Sequence, residues 1–444
     1  MRLEPEADPG QARIRSAVSR ITRSLMASAL AGTASLGAVV PLVKAQDTTL
    51  IVHPRTFYYE GTQNTGSENE AWALGGWIGY KSKWLWDAVS LGATLYGSAP
   101  LYAPAHGDGT FLLKPGQEGY LVLGEVFAAL RYGDFAVLKA GRQLVNQGYI
   151  NPSDIRMTPY TFEGVTLGGE LDSVRYLAGY LWKVKPWNSD EFVSMAEKAG
   201  AEGSNGGVGL IGIQLTPLRG LRVDVSNQYG YDTFNTLYAR ADYRYALNVD
   251  WEVGVGAEFT DQRAVGNALV ANAATTKWRT RVGAARLQLI YRDVTISGAF
   301  SSTSSGNAIQ NPWGTYPGYL ALIDAPASLG FARANEKGWL IGAVYDFSKS
   351  DAPGLLVINV ARGTGAINAQ TSASLPDQTE YNFRIEYGVP WLAMSGLRNA
   401  SLTVLGSFYD RADTDEIGRQ IHLILNWDWG PSGSAARGNR DSRF

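Results

Sequence analysis

Gln420-Ile421-His422-Leu423-Ile424-Leu425-Asn426-Trp427-Asp428-Trp429 puts Ile421, Leu423, Leu425, Trp427 and Trp429 on one face. Gln420, His422, Ile424, Asn426 and Asp428 take the other. Alternation with period two is the mark of a strand with one apolar face. The same pattern recurs outward along the chain. Glu380 to Tyr387 sets Tyr381, Phe383, Ile385 and Tyr387 against Glu380, Asn382, Arg384 and Glu386. Leu221–Tyr229 and Trp251–Phe259 alternate in the same way. In Tyr120–Tyr132 the even positions read Tyr120, Val122, Gly124, Val126, Ala128, Leu130, Tyr132, an apolar stripe with an aromatic at each end. A lipid-facing strand between two interfacial girdles requires that arrangement. These segments run about 10–15 residues, where soluble strands average about 5–6. Their opposite faces mix acids and bases, as a water-filled lumen would.

Composition narrows the classes. The chain has 444 residues, no Cys, three His, 51 Gly and 13 Trp, with a net charge of −2. Without Cys there is no disulfide frame, thiolate metal site or thiol nucleophile. His53, His106 and His422 are too scattered for a histidine metal site, so neither metal nor cofactor is expected. A slightly acidic chain lacks the basic footprint of a nucleic-acid protein. Lys277-Trp278-Arg279-Thr280-Arg281 mixes bases with an aromatic, but on a strand it reads as an interfacial Trp flanked by Arg facing the lumen or the headgroups.

Residues 1–45 read as a cleaved export signal. Arg13, Arg15, Arg20 and Arg23 precede the low-charge stretch Leu25 to Val43, and Val43-Lys44-Ala45 fits a cleavage site. Its removal leaves 33 of the 39 basic and 38 of the 41 acidic residues. The remainder carries no apolar run of roughly 18 residues, so any membrane crossing is made by strands.

Connections support that. Tight turns fall at Gly133-Asp134, Leu171-Asp172-Ser173, Pro217 to Gly220, Asn248, Arg292-Asp293 and Ser350 to Gly354. Long polar segments near 100–117, 145–162, 186–206, 262–275, 305–336 and 365–378 lie between them. Short turns alternating with long loops are the rhythm of an up-and-down barrel. The expected fold is all-β: one transmembrane antiparallel β-barrel of about 18 strands over 46–430, with an inward-folded constriction loop and a polar tail at 431–444.

Several segments together resemble the OprD-type outer-membrane porins. They are Arg55 to Tyr59, Asn69 to Trp72, Gly141-Arg142-Gln143, Asn151 to Pro159, Phe162 to Val165, Glu336 to Trp339, Tyr345-Asp346 with Pro353 to Leu355, Asp377 to Asn382, and Tyr409 to Asp413. The resemblance implies an 18-stranded substrate-selective channel in the outer membrane of a Gram-negative bacterium, a monomer or weak homotrimer among lipid. Such a channel admits small carboxylates, amino acids or similar hydrophilic solutes. The family's selective members carry an Arg ladder on the penultimate strand; here that stretch reads Ser401-Leu402-Thr403-Val404-Leu405-Gly406-Ser407. Its rungs are missing.

A barrel this wide needs a segment folded inward to narrow it. Leu144 to Phe162 is the candidate, bringing Asn146, Gln147, Asp154, Arg156 and Tyr160. Opposite charges at a narrow point set ion preference and orient dipolar solutes. Asp154 and Arg156 could instead pin the loop. Strand parity turns Arg55, Arg175, Lys183, Arg384 and Glu386 inward, and Arg55 with Arg384 could be remnants of a basic track. The competing reading is a barrel enzyme of phospholipase or protease type using His53 or His422, which the first and last strands could bring together. No spaced Ser/His/acid set accompanies them. A first strand starting soon after Gln46 leaves no room for a plug domain.

Overall fold

The computed structural model describes residues 49–62, 68–133, 135–270, 277–317, 330–348, 353–389, 398–411 and 417–429. The expected signal at 1–45, the tail at 431–444, and the Asp134 and Ser350 to Ala352 parts of two turns lie outside the described residues. The strands are β1 (Thr49–Thr62), β2 (Glu68–Lys81), β3 (Val89–Tyr102), β4 (Tyr120–Tyr132), β5 (Ala136–Gln143), β6 (Thr161–Leu171), β7 (Val174–Lys185), β8 (Val193–Ser194), β9 (Val208–Leu218) and β10 (Leu221–Gly230). They continue with β11 (Phe234–Ala246), β12 (Trp251–Ala264), β13 (Arg279–Tyr291), β14 (Val294–Thr303), β15 (Lys337–Asp346), β16 (Gly354–Thr364), β17 (Gln378–Gly388), β18 (Arg398–Arg411) and β19 (Gly418–Asp428).

Each long strand pairs antiparallel with the next, β7 passing directly to β9 while the two-residue β8 sits in a loop beside β7. β1 pairs with both β2 and β19, setting Arg55 opposite Asn426 and Tyr59 opposite His422. The wall is thus a closed ring of eighteen strands, the count expected from the alternation. Closure removes sheet edges, so neighbouring strands supply one another's backbone partners around the ring, as hydrocarbon surroundings demand. Among the described residues no helix is long and apolar enough to cross a membrane.

The two faces are inverted relative to a soluble protein. Leu74, Ile78, Leu121, Leu287 and Ile341 are exposed outward, whereas Arg55, Glu258, Gln288, Glu380 and Arg384 are buried inward. Short turns such as Asp172-Ser173, Arg219-Gly220 and Arg292-Asp293 lie at one end of the barrel. Asp172, Gly220 and Arg292 take positive φ, the conformation that lets a two-residue hairpin follow the strand twist. The other end carries the long loops, described over 103–119, 144–160, 186–207, 265–270, 277–278, 304–317, 330–336 and 365–377. The alternation is broken there by Tyr231–Thr233, a short link between β10 and β11 on the long-loop side.

Two expectations from parity fail at β-bulges, where an extra residue switches the face of all that follows. In β4 the register against β3 shifts at Gly124. Val126, Ala128, Leu130 and Tyr132 do face outward, but Tyr120 and Val122 are buried, and Leu121 and Leu123 take the lipid side. Tyr120 is therefore not a girdle residue. In β7 the register against β6 shifts at Trp182. Leu181 stays inward in an apolar cluster with Phe162, while Lys183, opposite Glu163, turns outward. Lys183 does not line the lumen.

The apolar core sits where loops fold into the long-loop end. Val145, Ile150 and Tyr160 from one loop meet Met195 from the short helix α1 (Met195–Lys198), Trp313 from another loop, and Phe162, Leu181 and Phe234 from the wall. Trp313 stacks on Phe234 and its indole N–H donates to the Met195 carbonyl at 2.8 Å.

Candidate pore constriction

The loop 144–160 crosses the lumen because both of its halves are bonded to opposite parts of the wall. Gly148 adopts φ +57°, a conformation that favours glycine, and a Cβ there would lie 2.6 Å from Ser226 Oγ, so glycine eases this approach to β10. Beside it Gln228 Nε2 donates to the Gln147 carbonyl at 3.1 Å. Tyr149 is fully buried, its hydroxyl 2.9 Å from Thr260 Oγ1 on β12 and its ring edge-on to Tyr238 of β11. Asn151 then binds Thr315 of the neighbouring loop through both its amide N–H and its oxygen.

The second half is held by Arg55. Its guanidinium donates to both carboxylate oxygens of Asp154 at 2.7 and 3.1 Å, to Asn426 Oδ1 at 2.7 Å, and to the Arg156 carbonyl. The Arg55 side chain is 8% exposed and that of Asp154 43%, so the carboxylate presents one face to the lumen. Ile155 beside it is exposed too. Arg156 points the other way. It is buried, donates through Nε to the Thr110 carbonyl at 3.1 Å, and lies 5.6 Å from the ring centres of both Tyr59 and Trp187. Burial lowers its pKa, without bringing a guanidinium near deprotonation. Tyr160 packs on Trp187 at 4.7 Å, and burial raises its hydroxyl pKa. Trp187 in turn donates to the Ser153 carbonyl at 2.5 Å. Thr158 joins the Tyr120 hydroxyl at 2.9 Å and Lys185 Nζ at 3.1 Å. The bulge at Gly124 is what turns Tyr120 toward this cluster.

Half the ring away from β1, the wall from β10 to β13 carries a second set of charges. Arg222 bonds Asp224 at 2.8 Å, and Asp242 receives both Arg240 and Arg286, the latter at 2.9 Å. On β17, Arg384 donates to Glu386 at 2.7 Å. From Ser401 to Tyr409 the inward positions of the intervening β18 are Ser401, Thr403, Leu405, Ser407 and Tyr409, none of them basic.

Of the residues singled out from sequence, the structure brings together Arg55, Asp154 and Arg156, with Tyr160 close behind. Arg384 and Glu386 pair with each other three strands from Arg55. Asn146 is exposed and Gln147 half-buried on the loop. Arg175 bonds Glu170 at 2.8 Å beside the short β6–β7 turn, far from the loop. Arg286 was not singled out, although Thr280, Val282, Ala284, Arg286 and Gln288 share one face of β13. Reading that face in full would have found it. Trp187 carried no signal in the sequence, and Thr158 entered only as part of the Asn151 to Pro159 segment.

His53 and His422 share the lumen side of the β1–β19 seam but stand apart. His53 Nδ1 is 2.6 Å from Asp428 and its ring stacks on Trp77 at 3.9 Å. His422 is buried against Phe57 and Tyr59. No Ser hydroxyl is bonded to either among the described residues, and the enzyme reading finds no support.

The sequence pattern of the family described as outer membrane porin, OprD family, matches residues 45–428. The chain belongs to the OprD family of outer-membrane porins. Like other members it resides in the outer membrane of Gram-negative bacteria and forms a substrate-selective channel for small solutes. No curated protein sequence matches the porin. Its barrel is similar to that of Pseudomonas aeruginosa OpdK with vanillate (TM-score 0.73, 18% identity, 87% of this chain and 99% of that one). It is similar also to P. aeruginosa OccK9 (TM-score 0.74, 18% identity, 86% and 98%). A BenF-like porin from Pseudomonas fluorescens gives a TM-score of 0.73 at 16% identity, covering 87% and 99%. At these identities the likeness establishes the fold.

Proposed function

We propose that the porin passes small hydrophilic solutes bearing a carboxylate, amino acids among them, between the Asp154 tip and the β10–β13 wall. The observation that carries this reading is the half-exposed Asp154 carboxylate held out by the buried Arg55. Arg240, Asp242 and Arg286 stand half the ring away. Charges of both signs on two sides of a narrow passage create a transverse field that orients a dipolar solute. The carboxylate class also accords with the vanillate in the OpdK structure, itself a small aromatic carboxylate. The proposed assembly is a monomer or weak homotrimer, to be read by native mass spectrometry in detergent.

Single-channel recording of the refolded barrel in a planar bilayer tests the constriction. Asp154→Asn should leave Arg55 uncompensated at the tip and move the reversal potential toward anions, by about twofold in permeability ratio. An unchanged ratio in a folded, conducting variant would place the selective point elsewhere.

A further inference from the structure

The outward face of the β12–β13 pair changes character along its length. Its facing positions run from Trp251 and Tyr291 at the turn end, through Val255 and Leu287, to Phe259 and Gly283. That is an aromatic girdle, an apolar band and a second aromatic. The next two rungs set Asp261 opposite Arg281 and Arg263 opposite Arg279. Two residues along a strand tilted by about 40° climb roughly 5 Å, so these rungs stand roughly 5 and 10 Å past Phe259, at headgroup depth.

Asp261 accepts from Arg279 Nε at 2.9 Å and from Arg281 Nε at 3.0 Å, and its own side chain is 10% exposed. The two arginine side chains remain 51% and 54% exposed. Arg263 is exposed, with no hydrogen-bond or ion-pair partner among the described residues, and it faces Arg279 directly. Like charges opposite one another weaken a ladder unless an anion lies between them. Lys337 on β15, aligned through Ser302 with Gly283, extends the same positive face. At the end of the hairpin a cleft of about 540 Å³ is lined by Ala264, Val265, Gly266, Asn267, Lys277 and Trp278.

We infer that Arg263, Arg279 and Arg281 bind the phosphate of a lipid headgroup in the outer leaflet. The long loops mark the extracellular end of a bacterial barrel, so the leaflet is the outer one. Asp261 fixes two guanidinium forks side by side, and such forks match phosphate oxygens two at a time. The apolar band below holds the acyl chains of the same molecule.

The refolded porin in neutral detergent is titrated with bisphosphorylated lipid A, bound lipid being counted by native mass spectrometry. At least one lipid A should bind, about tenfold more weakly in the double variant Arg263→Gln/Arg279→Gln. Wild type given lipid A stripped of its phosphates should bind as weakly. Single-channel conductance of the variant should equal that of wild type, because the patch lies outside the lumen. Equal lipid A binding by variant and wild type, or equal binding of the dephosphorylated lipid, overturns the proposal. Inorganic phosphate held as tightly as lipid A would also overturn it, in favour of a free-anion site. If heat-modifiable gel mobility shows the double variant unfolded, Arg263→Gln alone serves, since that residue has no partner to lose. The dephosphorylated arm needs no variant at all.

Discussion

Arg55 holds the constriction from one side with a guanidinium spread over Asn426, Asp154 and the Arg156 backbone. Arg156, its neighbour in this cluster, is committed to the Thr110 carbonyl of the β3–β4 loop, the Ile155 carbonyl of its own loop and two aromatic rings. The two arginines therefore fail differently. Arg156→Ala leaves the Thr110 carbonyl without its donor and opens a void between Tyr59 and Trp187, a change that costs roughly 2–4 kcal/mol in a buried setting. We expect that variant to give noisier and larger single-channel currents as the loop loosens, with little change in reversal potential. A clean selectivity shift without added noise would mean that Arg156 does face the solute. Asp154→Asn should do the reverse, changing selectivity and leaving noise alone. The sequence brought Asp154 and Arg156 to attention as charges on one loop. It did not separate the residue that faces the lumen from the one that pins, because Arg55 lies 99 residues from Asp154 and only the folded ring brings them together.

At the level of strands and loops, single inserted residues decide which face a side chain takes. Gly124 sits in the bulge of β4, where a Cβ would meet the Tyr96 ring at 2.4 Å. Deleting Gly124 should restore plain alternation and swing Tyr120 and Val122 to the lipid side. The Tyr120 bonds to Thr158 and to the Trp187 carbonyl would then be lost. The heat-modifiable gel shift should appear at a lower temperature, by several degrees. An unchanged transition would show that the bulge does not secure the loop. A second element-level contact is the pair Lys114–Asp190 at 2.9 Å, joining the β3–β4 loop to the β7–β9 loop. The hydrogen bond from Lys114 holds the Asp190 carboxyl below the usual carboxylate range and raises the Lys114 pKa. The carboxylate contribution is thus present above the unfolded value, about 3.9, and is lost as pH falls through the lower folded value. The lysine contribution is lost only as pH rises past its raised value. Protease cutting in 103–119 should be unchanged between pH 5 and 9 and quicken below about pH 4. Lys114→Gln should show the fast cutting throughout.

Across the whole molecule, charge placement follows the ring. Between Ser401 and Tyr409 the inward face of β18, which lies between Arg384 on β17 and the β19–β1 seam, carries no base, so no continuous basic track crosses this part of the wall. Leu405 stands opposite Arg384 in the register. Leu405→Arg should supply one rung and raise the anion-to-cation permeability ratio by about twofold, read from the reversal potential in a salt gradient. No shift would mean that solute passes clear of this wall. The sequence alone determined that the chain is a barrel of about eighteen strands and which residues of most strands face lipid. It did so because the strand pleat has a two-residue period and charge on the lipid face costs about 2–4 kcal/mol at mid-bilayer. Both constraints are local, so composition records them strand by strand. The tertiary structure decided the rest: the inward Tyr120, the outward Lys183 and the Arg55–Asp154 clasp. A bulge resets the parity of everything beyond it. The clasp depends on closing a ring between the two ends of the chain, which no local pattern encodes.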